Sequence, residues 1–378
     1  MKIGILTLPL HINYGGIMQA YALQTVLERM GHEVVVYQKD IHYSYKLPLW
    51  KYPYSYSKRL LKKILVDNRQ PLNVEKKKRI EEPIIRQHLN HFINSHIHTV
   101  MIEKPKDINL SAVDCIVVGS DQIWRPVHLM FLYKSYVQET FLDFAVGWNG
   151  KRVAYGASFG VDQWEYTLEE TMKCRELAKL FDAISVREYS GIKLCDEYLG
   201  VKAEHVLDPT LLLHCSDYLK LIGEANTSKN TGELFSYILD KSPEKETFVN
   251  RSALKLGMEP YSINLSCSDL FSPVENRIMP SVEQWLRSFH DAKFIITDSF
   301  HGCVFSILFN KPFVAIGNEE RGMSRFVSLL SILGLEDLLV SDLNDVDIFK
   351  FIENSIDYEK ALSKPREKSL NFLNTFLK

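Results

Sequence analysis

Lys293-Phe294-Ile295-Ile296-Thr297-Asp298-Ser299-Phe300-His301-Gly302-Cys303, running on to Asn310 and Lys311-Pro312, decides the fold. Residues 293–296 read as a buried strand and 303–310 as a short apolar helix. Lys311-Pro312 ends that helix, and 312–316 supplies a second strand. A strand, a turn bearing Asp, Ser and His, a helix and another strand make a βαβ unit. In open α/β sheets ligands sit just beyond the carboxyl ends of the strands, so chemistry is expected in this turn. A His in the first turn of a helix meets the positive end of the helix dipole, which suits a phosphorylated or carboxylated ligand. The plainer account has Asp298 or Ser299 capping the helix and His301 packing.

The same rhythm extends outward. Lys2 to Leu8 reads as a strand, Asn13-Tyr14-Gly15-Gly16 as a turn, 17–30 as a helix stopped by Gly31, and Glu33 to Tyr37 as the next strand. Further strands are predicted over 112–119, 152–156 and 183–186, and helices over 75–98, 168–181 and 190–199. The polar stretch 216–232 interrupts the pattern. It restarts with strands at 233–239 and 261–265 and helices at 244–256, 281–290 and 324–333; the tail 346–377 reads as mostly helical. The predicted class is α/β, with two Rossmann-type domains facing a central cleft in a GT-B-like layout. Residues 1–215 form the N-terminal α/β domain, assigned to the acceptor, with an insert over 41–80. Residues 216–345 form the C-terminal α/β domain, assigned to the donor, and 346–378 a helical tail.

Bulk properties narrow the class. A chain of 378 residues is long for one core. It is 46% hydrophobic and 24% charged, with a formal charge of −2, so it is globular and no nucleic-acid partner is expected. The six cysteines form no CxxC pair, which argues against a zinc ribbon or disulfide framework and fits a reducing compartment. No signal-peptide core and no run of ~18 apolar residues is present, so a cytoplasmic location is expected. Residues 46–65 interleave aromatic and basic side chains. Such a stretch can make peripheral contact with the inner face of a membrane, cover the cleft, or pack its Leu and Ile inward.

Several motifs sit where this layout puts ligands. Gly119-Ser120-Asp121-Gln122-Ile123-Trp124 follows a buried strand, and its polar cluster suits an acceptor. Asn13, Gly15, Gly16 and Gln19 occupy the first βα turn, but without GxGxxG spacing, so no nicotinamide cofactor is expected. Arg187 stands at a strand end, where it suits a carboxylate or phosphate. Glu319-Glu320-Arg321-Gly322-Met323-Ser324-Arg325 carries two more arginines able to neutralise a dianion. Gly156-Ala157-Ser158-Phe159-Gly160 matches GxSxG, yet no helix follows directly, so Ser158 is not expected to be a nucleophile. His88, His91, His96 and His98 lack an acidic partner among them and read as a solvated helix face; no metal is expected.

Taken in order, Asn13-Tyr14-Gly15-Gly16, Gly119 to Trp124, Ser185-Val186-Arg187, Leu207-Asp208-Pro209-Thr210 and Thr297 to Gly302 resemble the polysaccharide pyruvyl transferase family from Lys2 to about Leu335. The resemblance implies a GT-B-like, metal-independent enzyme that takes a pyruvyl group from phosphoenolpyruvate to a sugar as a ketal. It implies His301 as general acid and Arg187, with Arg321 or Arg325, as donor-binding residues, Ser299 and Gly302 lying beside them. Asp121 or Asp298 would orient or deprotonate a hydroxyl. Asn13, Gly15, Gly16, Gln19, Ser120, Gln122 and Trp124 would face a saccharide acceptor, its lipid linkage left open. Many relatives carry Arg two residues before the histidine, where this chain has Ser299. A nucleotide-sugar glycosyltransferase of the same layout and a non-catalytic saccharide-binding scaffold stay open. Oligomeric state is not legible.

Overall fold

The computed structural model describes residues 1–39, 49–65, 72–129, 136–263, 267, 269–317, 322–352 and 357–378. The first sheet contains β1 (Lys2–Leu6), β2 (Glu33–Lys39), β3 (Thr99–Ile102), β4 (Cys115–Val118), β5 (Lys151–Ala157), β6 (Ala183–Val186) and β7 (Glu204–His205). Their spatial order is β3-β2-β1-β4-β5-β6-β7, and every pairing is parallel. Central strands covered on both faces are near-continuously apolar, as Cys115–Val118 is, with all four residues buried. The order reverses between β1 and β4, so the loops after these two strands part and leave a crevice.

The second sheet contains β8 (Leu234–Tyr237), β9 (Pro260–Tyr261), β10 (Phe294–Thr297), β11 (Phe313–Ile316) and β12 (Leu339–Val340), ordered β12-β11-β10-β8-β9 and again parallel. The decisive stretch is therefore a βαβ unit: β10, the wholly buried helix Phe300–Leu308, then β11. The carboxyl ends of the two sheets face each other, the GT-B-like arrangement expected from the element order.

Three local departures have physical causes. The helix predicted over 75–98 is two helices, Val74–Ile85 and Gln87–His96, with Arg86 between them at φ −97° and Pro83 in the last turn of the first. Pro83 has no N–H to give to the helix. Strand β3 was not predicted, because a partly exposed edge strand of four residues shows no clear apolar period. The tail makes a short turn at Ile348–Phe351 before the long helix Tyr358–Phe376. That helix returns to the first half: Arg366 Nε donates to the Leu211 carbonyl at 2.8 Å, and Ser369 Oγ accepts from Leu207 N at 2.9 Å.

The halves meet closely. Tyr14 stacks on Trp285 with centroids 5.2 Å apart and planes 4° from parallel, and its hydroxyl donates to the Pro280 carbonyl at 2.7 Å. Gly322, at φ +92°, lies so near Gly160 that a Cβ there would stand 1.6 Å from the Gly160 carbonyl oxygen. Tyr14→Phe removes only the buried hydrogen bond and should cost about 1 kcal/mol, read as a lower denaturant midpoint at unchanged slope. Tyr14→Ala should cost about 3–5 kcal/mol.

Candidate functional site

On the first half the site is built at three strand ends. Asp121 follows β4 with φ +61°, a conformation Asp tolerates better than most residues. Its carboxylate accepts from Gln122 N at 2.9 Å, Asn13 Nδ2 at 3.2 Å and Arg187 Nη2 at 3.1 Å. Arg187 directly follows β6 and donates its other arm, Nη1, to Asp208 Oδ2 at 2.7 Å. Asp208 caps the turn Pro209–Leu212 with Oδ1, which accepts from Thr210 N at 3.1 Å and Thr210 Oγ1 at 2.6 Å. Its Oδ2 also accepts from Gln19 Nε2 at 2.6 Å, one turn inside the helix Tyr14–Arg29.

The second half supplies the rest. Ser299 caps the helix Phe300–Leu308, its Oγ accepting from Gly302 N at 3.3 Å. His301 projects from that first turn, its Nε2 2.9 Å from Gln19 Nε2 and 3.8 Å from Asp208 Oδ2. With the Gln19 amide assigned as donor, Nε2 accepts and Nδ1 carries the ring proton. Gly15 lies flat against this ring, where a Cβ would be 2.0 Å from Nδ1. The Phe300 ring sits under both Arg187, at 4.9 Å, and Arg325, at 5.7 Å.

Apart from the exposed Asn13, these groups are buried, and burial sets the charges of the titratable ones. It pulls His301 down to about 4, helped by Arg187 and Arg325 and opposed by Asp208 and Asp121, so the ring is neutral near pH 7. Burial, with Arg187 as neighbour, also lowers Arg325 to about 10. Asp121 feels burial upward, but Arg187, His301 and Arg325 outweigh it and hold the carboxyl below its ordinary range. Burial pushes Glu188 up against the pull of Arg187 and Arg325. Its Oε1 accepts from Phe159 N at 2.7 Å and Gly160 N at 3.3 Å. Gln19 Oε1, Arg187 Nε and Glu188 Oε2 have no hydrogen-bond partner among the described residues. Buried polar atoms of that kind are where a ligand's own polar groups fit.

The structure thus brings together His301, Arg187, Arg325, Asp121, Asn13, Gly15 and Gln19; Gly16 joins them, a Cβ there standing 3.4 Å from Asp121 Oδ2. Other expected site residues are used differently. Asp298 is fully buried in its own half, accepting from Leu239 N at 2.7 Å, Asp240 N at 3.1 Å and Lys245 Nζ at 2.7 Å. Both of its oxygens are engaged within that half, where they hold the ends of β8 and β10. Gly302 makes room for Thr297, whose Oγ1 would be 2.0 Å from a Cβ. Trp124 is not an acceptor wall: it is fully buried and stacked on Phe141 at 4.6 Å. Ser120 donates to the Gly156 carbonyl at 3.0 Å, and Gln122 accepts from Arg125 Nη1 at 3.3 Å, both within the first half. Arg321 lies outside the described residues. Ser158 is fully buried, and its Oγ accepts from Gly160 N at 3.0 Å. Among the described residues no three His, Cys, Asp or Glu side chains converge as metal ligands. Asp208 and Glu188 were not singled out as site residues from sequence; the Asp-Pro pair after a strand was the available signal for Asp208.

The family described as polysaccharide pyruvyl transferase matches residues 13–320, and the chain belongs to that family. No curated protein matches the sequence. Among solved structures the chain resembles UDP-GlcNAc 2-epimerase from Neisseria meningitidis bound to UDP-GlcNAc, with TM-score 0.51 and 11% identity over 100% of this chain and 99% of that one. It also resembles a glycosyltransferase from Rickettsia africae, with TM-score 0.49 and 10% identity over 100% and 99% of the two chains. The likeness to the epimerase is one of fold and accords with the two facing sheets.

Gly15→Ala should displace His301 while the exposed surface stays as it is, so ligand binding falls far more than melting temperature. The lowered His301 value makes a pH prediction. Between its ordinary 6.5 and about 4 the unfolded chain takes up a proton that the folded chain refuses. Its contribution to stability is complete above about 6.5 and is lost as pH falls towards about 4. His301→Gln should flatten that part of the stability curve relative to wild type, measured by denaturant unfolding from pH 7 to 4.

Proposed function

We propose that this chain, a member of a transferase family, moves a pyruvyl group from phosphoenolpyruvate onto a sugar of a polysaccharide or of its lipid-linked precursor and closes it as a ketal. Phosphoenolpyruvate is the donor substrate, and no separate cofactor takes part. The observation that carries this reading is the meeting of Arg187, Arg325 and His301 around Phe300 at the facing strand ends. The donor carries a phosphate and a carboxylate, and two guanidinium groups of this kind suit two anionic groups. Arg325, whose charge burial disfavours, gains most from an anion beside it.

The chemistry then follows from charge. In the empty site His301 is neutral and has no proton to give to carbon. A bound dianion offsets Arg187 and Arg325 and raises the histidine, so the imidazolium forms when the donor is present. It protonates the methylene carbon and leaves an oxocarbenium-like centre. One sugar hydroxyl adds to that centre, and its proton returns to the now neutral imidazole. A second hydroxyl displaces phosphate, which leaves with the second hydroxyl's proton, and the ketal closes. Asp121, held ionised, favours the cationic centre and is a poor base. Ser299, standing where many relatives have Arg, caps its helix, so in this reading Arg325 takes the second anionic group.

Thermal unfolding with millimolar phosphoenolpyruvate, and with UDP-sugars as controls, tests the donor. A ligand at 100 times its Kd should add about 2.7 kcal/mol. The expected result is a shift with phosphoenolpyruvate alone, larger at pH 6 than at pH 8 because binding takes up a proton, and that pH difference lost in His301→Gln. His301→Ala should fold normally and lose ~10²–10⁴-fold in turnover. A shift with a UDP-sugar only would move the assignment to glycosyl transfer. Unaltered turnover in His301→Ala would end the acid role.

A further inference from the structure

The insert after β2 contains the helix Tyr52–Leu65, preceded by a turn at Leu49–Lys51. One side of this helix is held. Tyr52 stacks on Tyr56 at 6.3 Å, and Arg59 grips Glu75 through two hydrogen bonds of 2.7 and 2.6 Å. Glu75 belongs to the helix Val74–Ile85, which bridges to the second half: Glu81 accepts from Arg277 at 2.5 Å, and Lys77 donates to the Leu270 carbonyl at 2.8 Å. The helix Tyr52–Leu65 is therefore anchored to the strap that ties the two halves together.

Its other side is apolar and faces solvent. Trp50, Tyr54, Leu61, Ile64 and Leu65 are between 58% and 76% exposed. Residues 54, 61 and 65 recur at helical spacing, opposite Tyr52, Tyr56, Arg59 and Lys63. An exposed apolar strip of this kind is rare on a protein that meets only water. Its charge is one-sided: residues 50–65 contain Lys51, Lys58, Arg59, Lys62 and Lys63 and no acidic residue. Apolar and aromatic residues along one face, flanked by cations, at low overall hydrophobicity, define a helix that lies in a bilayer interface. No helix among the described residues is long and apolar enough to cross a membrane, so the contact is peripheral.

We infer that the helix Tyr52–Leu65 docks this protein on an anionic phospholipid surface, with Trp50, Tyr54, Leu61, Ile64 and Leu65 in the interface and Lys51 and Lys58 against lipid phosphates. The insert departs from the carboxyl end of β2, the same end of the sheet that carries Asn13 and Asp121, so docking brings the cleft side of the molecule to the bilayer. This inference goes beyond the proposed function and does not depend on the donor's identity.

Co-sedimentation of the full chain with phosphatidylcholine vesicles, with and without 30% phosphatidylglycerol, tests it. Binding is expected to the anionic vesicles only and should weaken by at least about tenfold between 50 and 500 mM salt. It should be lost in Leu61→Glu/Ile64→Glu and weakened about tenfold or more in Lys51→Glu/Lys58→Glu, with melting temperature unchanged because these four positions are exposed. Equal binding to neutral vesicles, no binding to anionic ones, or undiminished binding by Leu61→Glu/Ile64→Glu would overturn it. So would a wild-type dimer, seen by sedimentation velocity, that ignores vesicles and becomes monomeric in Leu61→Glu/Ile64→Glu, since the strip would then join two copies.

Discussion

The buried guanidinium of Arg187, held between Asp121 and Asp208, is the constraint on which the rest of the site depends. A guanidinium so far from water is costly unless it is paired, and here Asp208 and Asp121 take its two terminal nitrogens, leaving Nε without a partner among the described residues. The triad fastens together the chain after β4, after β6 and after β7, so their spacing is set by two hydrogen-bonded arms of one planar group. Gln19 attaches to Asp208 and from there reaches His301, a residue of the other half. The position of the histidine relative to the first sheet is thus traceable, bond by bond, to one arginine.

A second carboxylate performs the matching task in the other half. The order β12-β11-β10-β8-β9 has its own reversal between β10 and β8, where a ligand would ordinarily enter. Asp298 fills that point with bonds to Leu239, Asp240 and Lys245. The end of β10 is stiffened in consequence, and His301, three residues on, projects from a fixed base. Asp121 and Asp298 look alike in sequence, each just beyond an apolar strand. One faces across the cleft and the other is consumed at home.

That pair marks the limit of what local sequence conveys. Strands β1, β4, β10 and β11 and the turns after them were legible because buried parallel strands are apolar runs and their ends are punctuated. His301, Arg187, Asp121 and Asn13 were legible for the same reason, since each stands at a strand end. Asp298 was read as a catalytic candidate because its partners, Leu239, Asp240 and Lys245, lie more than fifty residues away. Trp124 was read as an acceptor contact from the polar turn beside it, while Phe141 and Phe159, which enclose it, come from distant segments. Asp208 announced itself only as a turn former, and its bond to Arg187 spans 21 residues. The edge strands β3, β7 and β12 are too short to show a period, and β9, expected over 261–265, is described only at Pro260–Tyr261.

His301, Arg187, Arg325, Asp121 and Asp208 are out of solvent, and Gly322 rests on Gly160 across the joint. With water around it the imidazole of His301 would have its ordinary proton affinity. Packed between the halves beside two arginines, the ring sheds that proton, because burial favours the neutral form. An anion next to the two arginines would offset them and favour the proton's return. The charge of one ring is thereby made a reporter of whether its cationic neighbours are matched.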